Sequence, residues 1–373
     1  MTNFTNARLV LAHEVREGGL TVETGTIKAL DAHGQGHDCE GDFLMPGMID
    51  LHTDNLERQA QPRTNARWPS RSALLIHDAQ CAAAGITTVF DALCLGDIGF
   101  EKERNQTFYN GYEDLVALAR TGALKVEHLL HLRCELPAAE MPGMLQGVID
   151  DPLVRLLSIM DHSPGIGGQY KDEARYRLMR AAEGFSAEEI DSVISDLKEA
   201  HHANHHPNRT LVVAQARARG IPLASHDDHS EEDIIQNEED GISIAEFPVS
   251  LTAAREAKAR GMRVIAGAPN IVRGGSHSGN VSVMDLVRQN LLDALASDYV
   301  PASMLEAAMG TVAQGALSLP QAVALVTSGP AEIAGLMDRG RIAPGQRADL
   351  IQVRIYDGLP VIRSVWREGR RIA

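Results

Sequence analysis

Lys258-Ala259-Arg260-Gly261-Met262-Arg263-Val264-Ile265 is the end of an Ala-rich helical segment that stops at a glycine and gives way at once to an apolar, β-branched run. Glycine takes the left-handed conformation that ends a helix, and a strand covered on both faces reads as an unbroken apolar stretch. The same junction recurs at Ala82-Ala83-Ala84-Gly85-Ile86-Thr87-Thr88-Val89 and at Arg217-Ala218-Arg219-Gly220-Ile221-Pro222-Leu223. A helix that feeds directly into a buried strand is the rhythm of βα repetition. Working outward from these junctions, candidate strands fall at 48–54, 87–92, 128–135, 154–161, 222–226, 242–247, 263–267 and 295–298. Eight such units predict an α/β fold of the (β/α)8 TIM-barrel type, where a doubly wound sheet would show five or six.

Both ends of the chain read differently. Short alternating runs separated by glycine and charge occupy residues 7–11, 19–23 and 25–30, and again 348–353, 360–366 and 367–372. They predict a small β-sandwich domain shared by segments 1–45 and 338–373, around a barrel at 46–337. The interval 165–218 is longer and more charged than one barrel helix requires, and predicts a helical insertion beside the mouth. His201-His202-Ala203-Asn204-His205-His206-Pro207 lies within it, at a helix end before the proline and away from the strand ends, and reads as an incidental tract or as support behind a metal ligand.

Composition narrows the function. With 373 residues, 44% hydrophobic and 4% aromatic, 33 Gly and 16 Pro, the chain is globular with a large core, which excludes disorder, collagen and coiled coil. The net charge of -15, with no strongly basic block, argues against a nucleic-acid partner. Cys39, Cys81, Cys94 and Cys134 lie far apart and suggest neither a zinc ribbon nor a disulfide framework. The N-terminus lacks a basic segment followed by an apolar run, and no stretch approaches the roughly 18 apolar residues of a membrane span, so the expectation is cytoplasmic and not membrane-bound.

In a barrel the working side chains project from the C-terminal ends of the strands. The first strand closes on Ile49-Asp50-Leu51-His52-Thr53-Asp54-Asn55, where alternation puts His52 and Asp54 on one side, toward the lumen. Other strands end in His131-Leu132-Arg133-Cys134-Glu135, Met160-Asp161-His162, Ala224-Ser225-His226-Asp227-Asp228, Ala245-Glu246-Phe247 and Ser297-Asp298-Tyr299. A single histidine at a strand end is usually a hydrogen-bonded structural group; recurrence at several strands carries the metal reading. Histidine and carboxylate without thiolate suit a divalent cation such as Zn, Mn or Fe, and a bridging carboxylate permits two. The candidate ligands are His52, Asp54, Glu135, His162, His226 and Asp298, with Glu246 and Asp228 as further candidates. Asp298 is also the candidate catalytic base, placed to accept a proton from water at the metal.

After the seventh strand comes Ala268-Pro269-Asn270-Ile271-Val272-Arg273-Gly274-Gly275-Ser276-His277-Ser278-Gly279-Asn280. Loops at this end of a barrel often cradle phosphate: the glycines expose backbone N–H groups, while Asn270, Arg273, Ser276, His277, Ser278 and Asn280 supply donors. Arg133, Lys171 and Arg58 add positive charge near the mouth for a polyanionic ligand.

Met45-Pro46-Gly47-Met48-Ile49-Asp50-Leu51-His52, together with the split terminal β-domain, resembles the amidohydrolase superfamily. The longer strings, His52 to Glu57, His131 to Pro137, Met160 to Gly165, Ala224 to Asp228, Ala245 to Pro248, Gly267 to Val281 and Ser297 to Tyr299, resemble the alpha-D-ribose 1-methylphosphonate 5-triphosphate diphosphatase family of the carbon-phosphorus lyase pathway for phosphonate use. That resemblance implies hydrolysis of the ribose 5-triphosphate to the 5-phosphate and pyrophosphate, one or two divalent ions with Zn foremost, and a small triphosphorylated ribose as the partner. It leaves room for a homo-oligomer and for association with other enzymes of the pathway. The superfamily's His-x-His is here His52-Thr53-Asp54, and superfamily members that use a third-strand Glu point to Glu135 as a bridging ligand, with either His162 or Glu246 facing substrate. Gly165-Ile166-Gly167-Gly168-Gln169-Tyr170 departs from the family's Pro-Gly-Gln-Arg-Gln-Phe by losing an arginine.

Two rival readings keep parts of this picture. A deaminase or amidase acting on a C–N bond would use the same barrel and metals but has little use for the donors at 273–280. A metal-containing scaffold without catalysis has no need of Asp298 or of an open metal site.

Overall fold

The computed structural model describes the chain except residues 33, 64–65, 97–103 and 277–278 and the side chain of Gln169. Eight parallel strands follow one another in a single sheet: β1 (Met48–Thr53), β2 (Ile86–Leu95), β3 (Glu127–Glu135), β4 (Val154–Met160), β5 (Leu223–His226), β6 (Ile244–Glu246), β7 (Arg263–Gly267) and β8 (Ala294–Ala296). The three junction glycines are left-handed as expected, with φ of 85° at Gly85, 64° at Gly220 and 77° at Gly261. β1 and β8 close the ring through a bridge between Thr53 and Asp298. The Asp298 N–H donates to the His52 carbonyl at 3.0 Å and the Asp54 N–H to the Asp298 carbonyl at 2.7 Å. The seam of the barrel is therefore built from the backbone of three candidate ligands.

The lumen is packed by Ile49 and Leu51, Phe90, Leu129, Leu156, Ala224, Ile244, Ile265, and Ala294 with Ala296, a cluster to which every strand contributes. Alternation from this layer carries His131, Arg133 and Glu135 inward on β3, His226 on β5 and Glu246 on β6. Strand one breaks that rule: counted from Leu51, strict alternation turns His52 outward. The pairing Asp50 with Val89 and Thr53 with Asp91 sets three steps of β1 against two of β2, a bulge that returns His52 to the mouth. Chain direction changes sharply where the sheet ends. Asp227, Phe247 and Asp298 follow β5, β6 and β8 with φ of 59°, 54° and 56°, a left-handed conformation that costs a non-glycine residue roughly 1–3 kcal/mol. Each still donates its N–H to the next strand, Asp227 to Glu246, Phe247 to Ile265 and Asp298 to His52.

The sheet expected from the two chain ends is present. Phe43–Pro46 is its hinge, pairing parallel with Thr2–Val10 on one side and antiparallel with Leu350–Tyr356 on the other. Because one strand joins both ends, the hydrogen bonds of the expected sandwich run through one continuous sheet. It carries its own core of Phe4, Leu9, Leu20, Leu44, Leu350 and Trp366.

The long interval after β4 forms a helix at Glu173–Ala182 and a second of 33 residues at Ala187–Arg219. This corrects the expectation that the histidine tract lies at a helix end: the helix runs through Pro207 to Gly220. One lost backbone bond is tolerated because Asn204 and Asn208 clamp the helix to the barrel, donating to the carbonyls of Pro137 at 2.9 Å and Leu136 at 2.8 Å. Among the described residues no helix is long and apolar enough to cross a membrane. All four cysteines are buried and unpaired.

Candidate metal centre

Glu246, fully buried at the end of β6, organises the mouth. Its Oε1 lies 3.0 Å from His52 Nδ1 and its Oε2 2.8 Å from His226 Nδ1. Burial alone would raise this carboxyl, but the neighbouring imidazoles of His52, His131 and His226 outweigh it and hold it well below the usual range. An ionised carboxylate only accepts, so both rings donate from Nδ1 and turn Nε2 toward the mouth. His52 Nε2 is buried without a hydrogen-bond partner, 3.5 Å from Asp54 Oδ1. The two rings stack with centroids 5.8 Å apart, and Phe247 packs edge-on against both.

His52, His226 and Glu246 also lie close enough to form a donor set, but the Glu246 oxygens are taken by the two Nδ1 atoms, and beside it two groups of three donors result. His52, Asp54 and Asp298 form one and His162, His226 and Asp227 the other, with the donor atoms of each group within 4.8 Å of one another. A carboxylate behind each imidazole, and an imidazole nitrogen left without a partner, is the chemistry that divalent-metal sites use. Asp298 and Asp54 respond to each other: burial and the Asp54 charge push Asp298 up, while Arg133 and His52 overcome burial to hold Asp54 down.

Several expected residues take other positions. Glu135, expected to bridge, stands behind His162, its Oε1 accepting the His162 backbone N–H at 2.9 Å and its Oε2 2.6 Å from His162 Nδ1. With both oxygens engaged it belongs to neither donor group. Arg133, expected to meet substrate, donates to Asp54 at 2.8 Å from within the centre. Asp228 accepts from Ser225 and Asn237 away from the mouth, where burial pushes it up to about 7. Asp227 takes the place alternation would assign to Asp228, because its left-handed backbone reverses the side-chain direction. Sequence offered no signal for that reversal beyond the paired aspartates.

The mouth opens into a cavity of about 200 Å³ lined by five of these donors, His162 excepted, together with Asn270, Arg273, Ser276, Asn280 and Tyr299. Asn270 acts as a clamp on its own loop, donating to the Val281 carbonyl and accepting from the Val283 N–H. Arg273 and Arg58 converge on Tyr299, the first on its hydroxyl at 3.4 Å and the second on its carbonyl at 3.5 Å. His277 and Ser278 lie outside the described residues. Lys171 lines a different cavity, of about 360 Å³ beside the long helix. His226 and Asp227 border both cavities, so the expected anion-binding residues divide between two sides of the donors.

A further buried group was not singled out from sequence. Asp91 bonds His77 Nε2 at 2.7 Å and His128 Nδ1 at 2.8 Å, and Asp78 lies 3.2 Å from His128 Nε2. It faces the helix Ser70–Ala83, not the lumen, and every one of these nitrogens has a partner.

Comparison with known proteins agrees with this architecture. A family model described as "Amidohydrolase family" matches residues 251–371. The chain is 41% identical over 378 aligned positions to the alpha-D-ribose 1-methylphosphonate 5-triphosphate diphosphatase of Escherichia coli, covering 98% of this chain and 99% of that one. Among solved structures, the dihydropyrimidinase from Brevibacillus agri superposes with a TM-score of 0.66 at 13% identity, covering 99% of this chain and 94% of the other. The 5-methylcytosine deaminase from Klebsiella pneumoniae gives 0.66 at 14% identity, covering 100% and 97%. These two likenesses speak for the fold.

Proposed function

The chain belongs to the alpha-D-ribose 1-methylphosphonate 5-triphosphate diphosphatase family of amidohydrolases, and from that membership we propose that it hydrolyses this ribose 5-triphosphate to the 5-phosphate and pyrophosphate in phosphonate use. The observation that carries the proposal is identity along the whole chain to a relative bearing that name. The paired donor groups at the mouth support it, since cleavage of a phosphoanhydride calls for concentrated positive charge.

In this reading His52, Asp54 and Asp298 would hold one divalent ion and His162, His226 and Asp227 a second, Zn in preference to Mn or Fe. Bound there, such ions supply Lewis acidity to a phosphoryl oxygen and lower the pKa of water. Glu246 and Glu135 orient the imidazoles through Nδ1, and Arg133 holds Asp54 ionised and in place. Asp298 accepts at its carboxylate the proton of the attacking water and so serves as general base. Arg273, Ser276 and Asn280, on the cavity wall, take oxygens of the triphosphate. The water oxygen joins a phosphorus of the α–β anhydride, that anhydride bond breaks, and the products are the 5-phosphate and pyrophosphate.

The test is release of pyrophosphate from a 5-triphosphorylated ribose compound by protein loaded with Zn or Mn, with nucleobases and N-acyl compounds assayed beside it. Pyrophosphate as the product is the expected result. Intact triphosphate together with turnover of a C–N substrate would move the protein to the deaminase or amidase reading.

A further inference from the structure

Outside the mouth, one more set of donors converges on a point. Asp161 follows β4, and alternation turns it away from His162 toward the long helix, where His201 and His205 lie one turn apart. Both Nδ1 atoms stand 2.6 Å from Asp161 Oδ2, with the rings 4.6 Å apart. The other oxygen, Oδ1, accepts the Ser163 N–H at 2.9 Å, which fixes the plane of the carboxylate.

We propose that Asp161, His201 and His205 form a cation site separate from the strand-end donors, taking a divalent metal of the imidazole-binding kind such as Zn²⁺ or Co²⁺. Two imidazoles four residues apart on a helix, plus one carboxylate, make a chelating set that leaves coordination positions open. The open side is real: the side chains of His201, His205 and Asp161 are 25%, 29% and 11% exposed, and all three line the cavity of about 360 Å³. Ion and water therefore have a way in. Metal–ligand bonds of about 2.0–2.2 Å set ligand atoms roughly 3–3.5 Å apart, so each Nδ1 retreats by under about 1 Å, toward the cavity.

The scaffold holds the pair in position. Asn204 and Asn208, on the same helix, tie it to the loop after β3 on either side of His205. Arg209 also lines the cavity but is committed to Asp240 at 2.6 Å and Asn237 at 2.8 Å, so it does not compete for Asp161. Lys171 is on the same wall, and an anionic oxygen completing the coordination meets a second positive charge there. The site does not depend on the phosphoanhydride reading, because its test reads metal and not turnover.

The experiment is elemental analysis and Co²⁺ absorption on the full chain after chelator treatment and reconstitution. Wild type is compared with the double variant His201→Ala/His205→Ala and with His52→Ala/His226→Ala. The expected result is one equivalent fewer in His201→Ala/His205→Ala, and at least one equivalent with a Co²⁺ d–d band retained in His52→Ala/His226→Ala. Equal stoichiometry in His201→Ala/His205→Ala and wild type overturns the proposal, as does absence of metal from His52→Ala/His226→Ala. Should the double variant fail to fold, His205→Gln must weaken one Co²⁺ titration step by about tenfold or more, and an unchanged titration refutes the site.

Discussion

Replacing Glu246 with glutamine removes an acceptor that two strand-end imidazoles share. The carboxylate takes His52 Nδ1 at 3.0 Å on one oxygen and His226 Nδ1 at 2.8 Å on the other. Glutamine has the same shape but one acceptor oxygen and one NH₂ donor, so one of the two Nδ1–H groups must face another N–H. That ring either gives up its hydrogen bond or moves its proton to Nε2, where the lone pair meant for metal is lost. The supporting partner of a ligating histidine is worth about 10–100-fold in metal affinity, or about 1.4–2.7 kcal/mol at roughly 1.36 kcal/mol per factor of ten. Since the glutamine oxygen still serves one ring, the loss falls on one donor group and spares the other. The assay is titration of the metal-free Glu246→Gln protein with Zn²⁺ against a chromophoric chelator, beside wild type. One binding step weakened by about 10–100-fold, with the remaining steps unmoved, is the expected outcome. Curves that superimpose on wild type would show that Glu246 does not orient ligands, and the two-group reading would go with it.

Three further outcomes follow from the geometry. Asp298→Asn should lower kcat for pyrophosphate release by about 10²–10⁴ while the barrel seam, made by backbone, stays closed; wild-type kcat at matched metal content would remove Asp298 as base. Thermal unfolding against pH should show the His128 network. Burial opposes its charge, but Asp91 and Asp78 push His128 up to about 9, so its stabilisation is complete below about 6.5 and fades as pH rises through 9. The upper bound is about 3 kcal/mol, and His128→Gln should abolish that alkaline loss; a wild-type profile in the variant would refute it. Gly329→Ala should destabilise by about 1–3 kcal/mol, because a Cβ there would stand 2.2 Å from the Asp293 carbonyl oxygen, and an unchanged Tm would contradict the packing.

The barrel was legible because each βα unit writes its own signal. A helix must end where only glycine turns left-handed easily, and a strand wrapped by helices must be apolar on both faces, so Gly85, Gly220 and Gly261 mark the joints in one dimension. The ends of those strands also pointed to His52, His226, Asp54 and Asp298, all of which meet at the mouth. Roles were harder to read than locations. Whether a carboxylate coordinates or stands behind a histidine depends on about an ångström of distance across strands remote in sequence, which is why Glu135, expected to bridge, and Glu246, expected as a further ligand or facing substrate, both stand behind imidazoles.

Sequence by itself determined the βα order, the lumen-facing phase of most strands and the stock of histidines and carboxylates at their ends, because these follow from local periodicity and residue chemistry. Tertiary structure alone decided the rest. A bulge in β1 returns His52 to the lumen, left-handed turns bring Asp227 and Asp298 into the mouth, and the long helix sets His201 and His205 on Asp161. In each case the deciding atom belongs to another strand or helix: β2 sets the bulge, the next strand's carbonyl holds the strained turn, and Asn204 and Asn208 fix the helix. Contacts of that kind are made only when the chain has closed on itself.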